Sequence, residues 1–172
     1  MMKKLLLVAV ATVTAFTLTV PPASADAGGV KDGNDVAGRL DLKRVSQHHD
    51  GNWVIHRWAT YRGWSKSILR RNTGNRFVMW GDSNIYSPDT GVIFRKDGRW
   101  RCRNSNGAFW CVDQNIFVRH PSRRVLTMKW NPPSGMNWIV WRGGTRFFND
   151  GACSSGCRDW APRRGAVLFH EF

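Results

Sequence analysis

The sequence predicts an all-β protein, an antiparallel β-sandwich of jelly-roll or immunoglobulin-like type with about seven to nine short strands stapled by disulfides. Three observations predict it. Short runs rich in Val, Ile, Phe and Trp recur along the chain, and turn-forming pairs such as Asp50-Gly51 and Asn106-Gly107 separate most of them. Only residues 62–72 could form a helical turn or two. Because crossover helices are missing from this pattern, a parallel sheet is disfavoured.

The predicted strands follow one another without a linker or a change of composition between them. They cover residues 40–47, 53–61, 77–81, 92–96, 99–105, 108–112, 115–120, 125–130 and 137–142. We therefore predict one β-sandwich domain over residues 26–172. Within these strands Trp53 alternates with Ile55 and Arg57, Trp58 with His56, and Trp138 with Val140. Each tryptophan is therefore expected in the core or at its rim.

The first 25 residues have the pattern of an export signal. Lys3 and Lys4 precede an apolar stretch from Leu5 to Val20, and Ala23-Ser24-Ala25 is a small-residue cleavage pattern. The apolar stretch is short for a membrane anchor and threonines interrupt it. We predict a signal peptide over residues 1–25 and a secreted, extracellular product that could associate with the cell wall and has no integral membrane span after processing.

Charge is unevenly distributed along the chain, whose formal net charge is +14. Residues 26–50 hold five acidic and four basic side chains, whereas residues 51–172 hold seven acidic and twenty basic ones. A strongly basic body favours anionic partners. Nucleic acid is one such partner, but the export signal favours an extracellular polysaccharide or an anionic envelope polymer.

The four cysteines fit an oxidising compartment and can be assigned to pairs. A two-residue turn at Asn106-Gly107 places Cys102 opposite Cys111 at a non-hydrogen-bonded position, where Cα atoms lie about 4.5 Å apart, within reach of a disulfide. Cys153 and Cys157 would then pair with each other. A zinc site built from all four is the alternative, which their unequal spacing disfavours.

The segment from Asp32 to Leu42 has the pattern D-x-x-D-x-x-G-x-L-D-L. It resembles the opening of secreted bacterial β-sandwich modules, namely the family-nine carbohydrate-binding and DOMON-like domains. The stretch from Cys153 to Gly165 also resembles the tail of uncharacterised exported proteins with this opening. The resemblance implies a β-sandwich, a carbohydrate ligand and, as in some members, bound calcium.

Hard oxygen ligands in this opening segment suggest where calcium could bind. They are Asp32, Asn34, Asp35 and Asp41. The spacing is not that of a twelve-residue calcium loop, so the alternative is that these residues form turns and accept backbone hydrogen bonds, with no cofactor.

Arginine and aromatic residues interleave in the middle of the chain, which suggests a binding surface. A two-residue turn at Asp97-Gly98 predicts that Phe94 lies opposite Arg101. Together with Trp64 and Trp160, which lie in loop-like contexts, the predicted ligand-binding set is Phe94, Arg99, Arg101, Arg103, Trp110, Trp64 and Trp160. Aromatic planes beside guanidinium groups suit sugars and anions, although Arg also covers aromatic residues on ordinary sheet surfaces.

The sequence favours a non-enzymatic binding module for carbohydrate or an anionic cell-envelope polymer. Glu171 is the only glutamate, which excludes a Glu/Glu glycosidase pair, and no serine lies in G-x-S-x-G. We assign no catalytic residue. The alternative is a small secreted basic hydrolase, a nuclease or phosphodiesterase, that would use His48, His56 or His170 with arginines.

Overall fold

A computed structural model describes residues 27–71, 74–83, 90–94, 100–103, 116–148, 153, 156–163 and 166–172; for strands 90–94 and 100–103 it describes the backbone. The predicted signal peptide over residues 1–25 and the predicted strand over residues 108–112 lie outside these ranges. So do Arg99, Trp110 and Cys111. Within the described ranges no helix is long and apolar enough to cross a membrane.

The described residues form eleven strands and one short helix, all strand pairs being antiparallel. In chain order they are β1 (Ala27–Lys31), β2 (Leu42–Asp50), β3 (Trp53–Thr60), α1 (Lys66–Arg71), β4 (Arg76–Ser83), β5 (Thr90–Phe94), β6 (Trp100–Arg103), β7 (Ile116–Ser122), β8 (Val125–Trp130), β9 (Trp138–Phe147), β10 (Cys157–Ala161) and β11 (Leu168–Glu171).

Two sheets make up the sandwich, which confirms the predicted fold class. The first sheet has the order β1-β2-β3-β8-β7, and the second has the order β10-β9-β4-β5-β6. β11 also pairs with β9, beside β10. Strand order differs from chain order between β3 and β8, so residues distant in sequence become neighbours in the first sheet.

Alternating burial along the strands shows which face of each sheet is inward. In β3, Val54, His56 and Trp58 are buried and the residues between them are more exposed. Trp58 meets Trp141 of the second sheet with ring centroids 6.0 Å apart. Burying a large apolar side chain contributes about 1.5–3 kcal/mol, so this contact between the sheets is a major part of the core. The largest fully buried side chains are Trp58, Trp141, Phe77, Phe147, Leu40, Leu42, Leu69, Leu126, Met128, His56 and His170.

Most predicted elements are found, and the short helix lies within residues 62–72 as predicted. Three strands were not predicted: β1, β10 and β11. β1 begins Ala-Gly-Gly and β10 reads Cys-Arg-Asp-Trp-Ala, so neither carries an apolar run. Each forms because its backbone pairs with a longer neighbour, β2 for β1 and β9 for β10.

The predicted pairing of β5 with β6 is wrong by one residue. Phe94 lies opposite Trp100, and Arg101 lies opposite Ile93. These pairs are symmetric about residue 97, whereas the register expected from a turn at Asp97-Gly98 is centred between residues 97 and 98. Directly opposed residues share a face of a sheet, so this register does not group Phe94 with Arg101 or Arg103.

One predicted disulfide is present. Cys153 and Cys157 are bonded, with Cα atoms 5.2 Å apart, at the entry to β10. Cys102 lies in β6 opposite Val92. Its partner Cys111 lies outside the described residues, so the link between Cys102 and Cys111 stays a prediction.

Candidate functional site

A groove crosses the outer face of the first sheet, and we call it the outer groove. Its volume is about 530 Å³. Strands β2, β3, β8 and β7 each contribute to it, because alternate residues of these strands point away from the core. The lining residues are His48, Asp50, Trp53, Ile55, Phe117, Arg119, Pro121, Thr127 and Lys129.

Two aromatic side chains form the apolar part of the outer groove. Trp53 and Phe117 contact each other edge to face, with ring centroids 5.5 Å apart. Phe117 is 50% exposed, and so is among the most exposed large apolar residues of the described chain. Lys129 lies opposite Phe117 on the neighbouring strand and holds its Nζ 5.1 Å from the centre of the Trp53 ring. This lining combines aromatic surface with a cation.

The outer groove carries more positive than negative charge. Lys129 Nζ lies 2.9 Å from Asp50 Oδ2, and this contact lowers the pKa of Asp50. Arg119 adds a second permanent cation, while Asp50 is the one acidic residue among those that line the groove. Since Asp50 pairs with Lys129, the guanidinium of Arg119 supplies the charge that a ligand acid group would meet.

Trp64, predicted to be an exposed loop platform, is buried. It lies in the loop between β3 and α1 and is 2% exposed. Its ring packs against Phe77, with centroids 4.8 Å apart, and against His120, with centroids 4.0 Å apart. The prediction that Trp64 stacks on a sugar ring is therefore wrong, because its ring faces contact other side chains.

Trp160 lies on the outer face of the second sheet, in β10, and not in a loop as predicted. The Arg142 guanidinium lies 4.6 Å from its ring centre and 5.1 Å from that of Trp80. An added Cβ at Gly144 would lie 2.6 Å from the Trp160 ring, so this close packing requires glycine. Arg and Trp side chains thus interleave at Trp80, Arg142 and Trp160, a place that the sequence analysis did not predict.

Four aspartates converge where the segment before β2 meets β10, and we call them the aspartate cluster. Carboxylate oxygens of Asp32, Asp35 and Asp159 lie within 4.8 Å of one another. Asp41 forms a side-chain hydrogen bond with Asp159. Oxygens that bind one calcium ion at about 2.4 Å can lie at most about 4.8 Å apart, so the spacing suits a hard cation. Asn34, which was also predicted as a ligand, is exposed.

Burial raises the pKa of two members of the aspartate cluster, Asp159 and Asp41. Asp159 is 5% exposed, and its Oδ2 accepts the Leu42 N–H at 2.6 Å. Burial raises the pKa of Asp159 to about 8 against the effect of that N–H, and Asp32 and Asp41 also raise it. Burial likewise raises the pKa of Asp41, which is 1% exposed.

Two carboxylate oxygens of the cluster, Asp32 Oδ2 and Asp41 Oδ1, are buried, and no N–H donor of the described residues forms a hydrogen bond with either of them. A buried carboxylate oxygen is costly unless it is paired or binds a metal. The donor set therefore fits an oxygen-seeking cation. Asp159 was missed as a ligand because it lies in a strand that carries no local signal and is more than a hundred residues from its neighbours in the cluster.

The histidines of the hydrolase hypothesis are mostly inside the protein. His56 is fully buried, with its ring 4.3 Å from Trp141 and 6.1 Å from Trp130 between centroids. His170 is also buried, and its Nε2 lies 2.9 Å from His49 Nε2. A substrate could therefore not reach His56 or His170 without opening the core. Only His48 of the three lies on the surface, in the outer groove.

No protein-family model, curated protein or solved structure gives a significant match to the chain. The resemblance to family-nine carbohydrate-binding and DOMON-like modules therefore stays a prediction. The proposals below are argued from the geometry of the described residues.

Proposed function

We propose that the protein is a secreted, non-enzymatic binding module that holds a carbohydrate, preferably an acidic polysaccharide or another anionic envelope polymer, in the outer groove. The observation that carries this proposal is the half-exposed Phe117 beside Trp53, with Lys129 and Arg119 in the same groove. A volume of about 530 Å³ lies within the usual size of ligand sites.

The chemistry of the lining divides binding between two kinds of contact. The Phe117 and Trp53 rings offer flat apolar surface to the C–H faces of sugar rings. The Arg119 guanidinium can form paired hydrogen bonds with a carboxylate, sulfate or phosphate group. Because every lining residue except Pro121 has a paired backbone position in one sheet, little conformational entropy should be lost on binding.

The first test removes the exposed aromatic ring. We expect Phe117→Ala to weaken retention on an acidic polysaccharide about tenfold, since a stacked ring is worth about 1–1.5 kcal/mol. Because Phe117 is half exposed, the free energy of unfolding should change by less than about 0.5 kcal/mol. Affinity electrophoresis and urea unfolding would measure the two quantities.

Phe169→Ala is the matched control for this test. Phe169 lies on β11 of the second sheet, outside the outer groove, and is 56% exposed. The Phe169→Ala variant should bind the acidic polysaccharide like the unmodified protein. Equal loss in both variants, or full retention by Phe117→Ala, would contradict the placement of the ligand in the outer groove.

We propose further that the aspartate cluster holds a structural calcium ion. Asp32, Asp35 and Asp159 would ligate it, with Asp41 beside them. The ion would neutralise these carboxylates and connect the segment before β2 to β10. The two buried oxygens of Asp32 and Asp41, to which no N–H of the described residues donates, support this role.

Millimolar calcium is accordingly expected to raise the melting temperature. A site saturated at about 100 times its Kd gains about 2.7 kcal/mol, which corresponds to roughly 5–10 °C for a domain of this size. Asp32→Asn should lose most of this rise, whereas Asp50→Asn, in the outer groove, should keep it. Calorimetry with sodium chloride at matched ionic strength measures the effect. An unmodified protein indifferent to calcium would favour the alternative of turns and hydrogen bonds alone.

A further inference from the structure

A second pocket lies where the β7–β8 turn meets the segment between β3 and α1, and we call it the basic pocket. Its volume is about 340 Å³. Of the seven described residues that line it, three are permanently cationic and none is acidic. The lining residues are Arg39, Gly63, Trp64, Ser65, Lys66, His120 and Arg123.

Hydrogen bonds fix the walls of the basic pocket relative to each other. The backbone N–H of Trp64 donates to the Arg123 carbonyl at 2.7 Å, and the backbone N–H of Thr60 donates to the Arg124 carbonyl at 2.9 Å. The Trp64 ring also stacks on His120 with an interplanar angle of 25°. These contacts join the loop before α1 to the turn after β7, so the pocket is formed in advance of any ligand.

Two residues that line the basic pocket have a buried polar atom without a partner. Trp64 Nε1 and His120 Nε2 are both buried, and neither has a hydrogen bond among the described residues. An indole N–H can only donate, so the partner that Trp64 lacks must be an acceptor. Leaving such a group unpaired is unfavourable, and a ligand that supplies an acceptor would remove that cost.

We propose that the basic pocket binds a tetrahedral oxyanion, phosphate or sulfate, either free or esterified to a larger molecule. Arg39, Lys66 and Arg123 supply the positive charge, which matches a doubly charged ion with several acceptor oxygens better than a singly charged planar carboxylate. The Trp64 indole N–H would supply a further donor.

This site is separate from the outer groove, so the proposal goes beyond the polysaccharide ligand. Arg119 and Pro121 line the outer groove, whereas His120 between them lines the basic pocket. Burial lowers the pKa of His120, and Lys66 lowers it further. A bound dianion would offset the charge of Lys66 and raise that pKa.

The test is a titration of the isotope-labelled protein with sodium phosphate and sodium sulfate, at an ionic strength held constant with sodium chloride. The Trp64 indole N–H and the His120 ring are followed by NMR. Saturable shifts of both signals are expected with phosphate and sulfate, and the pKa of His120 should rise when phosphate is bound. Titrating inorganic phosphate against a phosphate monoester separates a free ion from an esterified group, and saturation by either supports the proposal.

Variants decide whether the basic pocket is responsible. Arg123→Gln and Lys66→Gln should each weaken phosphate binding at least about tenfold, as expected for a lost charge-assisted hydrogen bond. Arg124→Gln, in the same turn but outside the lining, should bind like the unmodified protein, as should Phe117→Ala. Shifts that chloride reproduces, shifts that do not saturate, or equal weakening in Arg124→Gln would each overturn the proposal.

Discussion

Acidification from pH 7 to pH 4 is expected to lower the free energy of unfolding by about 3 kcal/mol through His56 alone. Burial lowers the pKa of His56 from 6.5 to about 3, with smaller effects of His170 and His48. Above pH 6.5 the ring is neutral in both the folded and the unfolded state, so it adds no pH dependence. Below pH 6.5 the His56 ring binds a proton in the unfolded chain but stays neutral in the folded protein. Stability therefore falls by about 1.4 kcal/mol per pH unit until pH 3 is approached.

His56→Phe separates this effect from the titration of other groups. Neither ring nitrogen of His56 has a hydrogen-bond partner, so the change removes no hydrogen bond and keeps a ring between Trp141 and Trp130. Urea unfolding at pH 7 and pH 4 should show that the unmodified protein loses about 3 kcal/mol more than the variant. The exposed His48→Gln variant should retain most of the original acid sensitivity. An identical pH dependence for His56→Phe and the unmodified protein would contradict the burial of a neutral ring.

Gly38→Ala is expected to lower the free energy of unfolding by about 3 kcal/mol, because it combines backbone strain of roughly 1–2 kcal/mol with overpacking of roughly 1–3 kcal/mol. Gly38 has a φ of 131°, which L side chains rarely adopt. An added Cβ would lie 2.3 Å from the Phe147 ring, and Phe147 is fully buried in the core. The ring therefore has little room to move.

Gly51→Ala provides the comparison for Gly38→Ala. Gly51 also has a positive φ, of 61°, but an added Cβ would have nothing within 4 Å. Gly51→Ala should lower the free energy of unfolding only by the strain of the left-handed conformation, about 1–2 kcal/mol. Urea unfolding of both variants measures the difference. If Gly38→Ala were no more destabilising than Gly51→Ala, the close contact with Phe147 would be refuted.

The strands that the sequence predicted are those whose apolar residues form a recognisable pattern within the strand itself. β8 alternates apolar with polar residues, and β3 and β4 each carry a run rich in apolar residues, so these patterns are visible without knowing the partner strand. β1 and β10 carry no such pattern, because what stabilises them is pairing with β2 and β9. The predicted register of β5 with β6 was wrong for a related reason, since that prediction depended on the length assumed for the turn between the two strands.

The outer groove could not be read from the sequence because its parts come from distant strands. Trp53 and Phe117 become neighbours only through the order β3-β8-β7, in which β8 brings Lys129 between them. Trp53 and Trp58 have similar sequence surroundings, and both were assigned to the core or its rim. They are five residues apart in one strand, so they point to opposite faces, and Trp58 is the one that faces the core.

Three of the four members of the aspartate cluster were named from the sequence, and the fourth was missed. The opening segment identified Asp32, Asp35 and Asp41, since acidic residues close in sequence can be recognised as a possible ligand set. Asp159 joins them only because β10 pairs with β9 at an inward-facing position opposite Thr145. No spacing rule connects residues so far apart in the chain.

The most direct test of the proposed function is retention of the purified protein on a panel of neutral and acidic polysaccharides, RNA and DNA at about 0.05 M and about 0.5 M salt, where the Debye length falls from roughly 14 Å to roughly 4 Å. We predict that an acidic polysaccharide is retained at both salt concentrations, because stacking on Phe117 and Trp53 is not screened. Phe117→Ala should then be retained only at low salt. Two outcomes would contradict this account: loss of every ligand by the unmodified protein at high salt, or retention of nucleic acids as strong as that of polysaccharides. Either would mean that binding depends on net charge alone and that the outer groove is not the site.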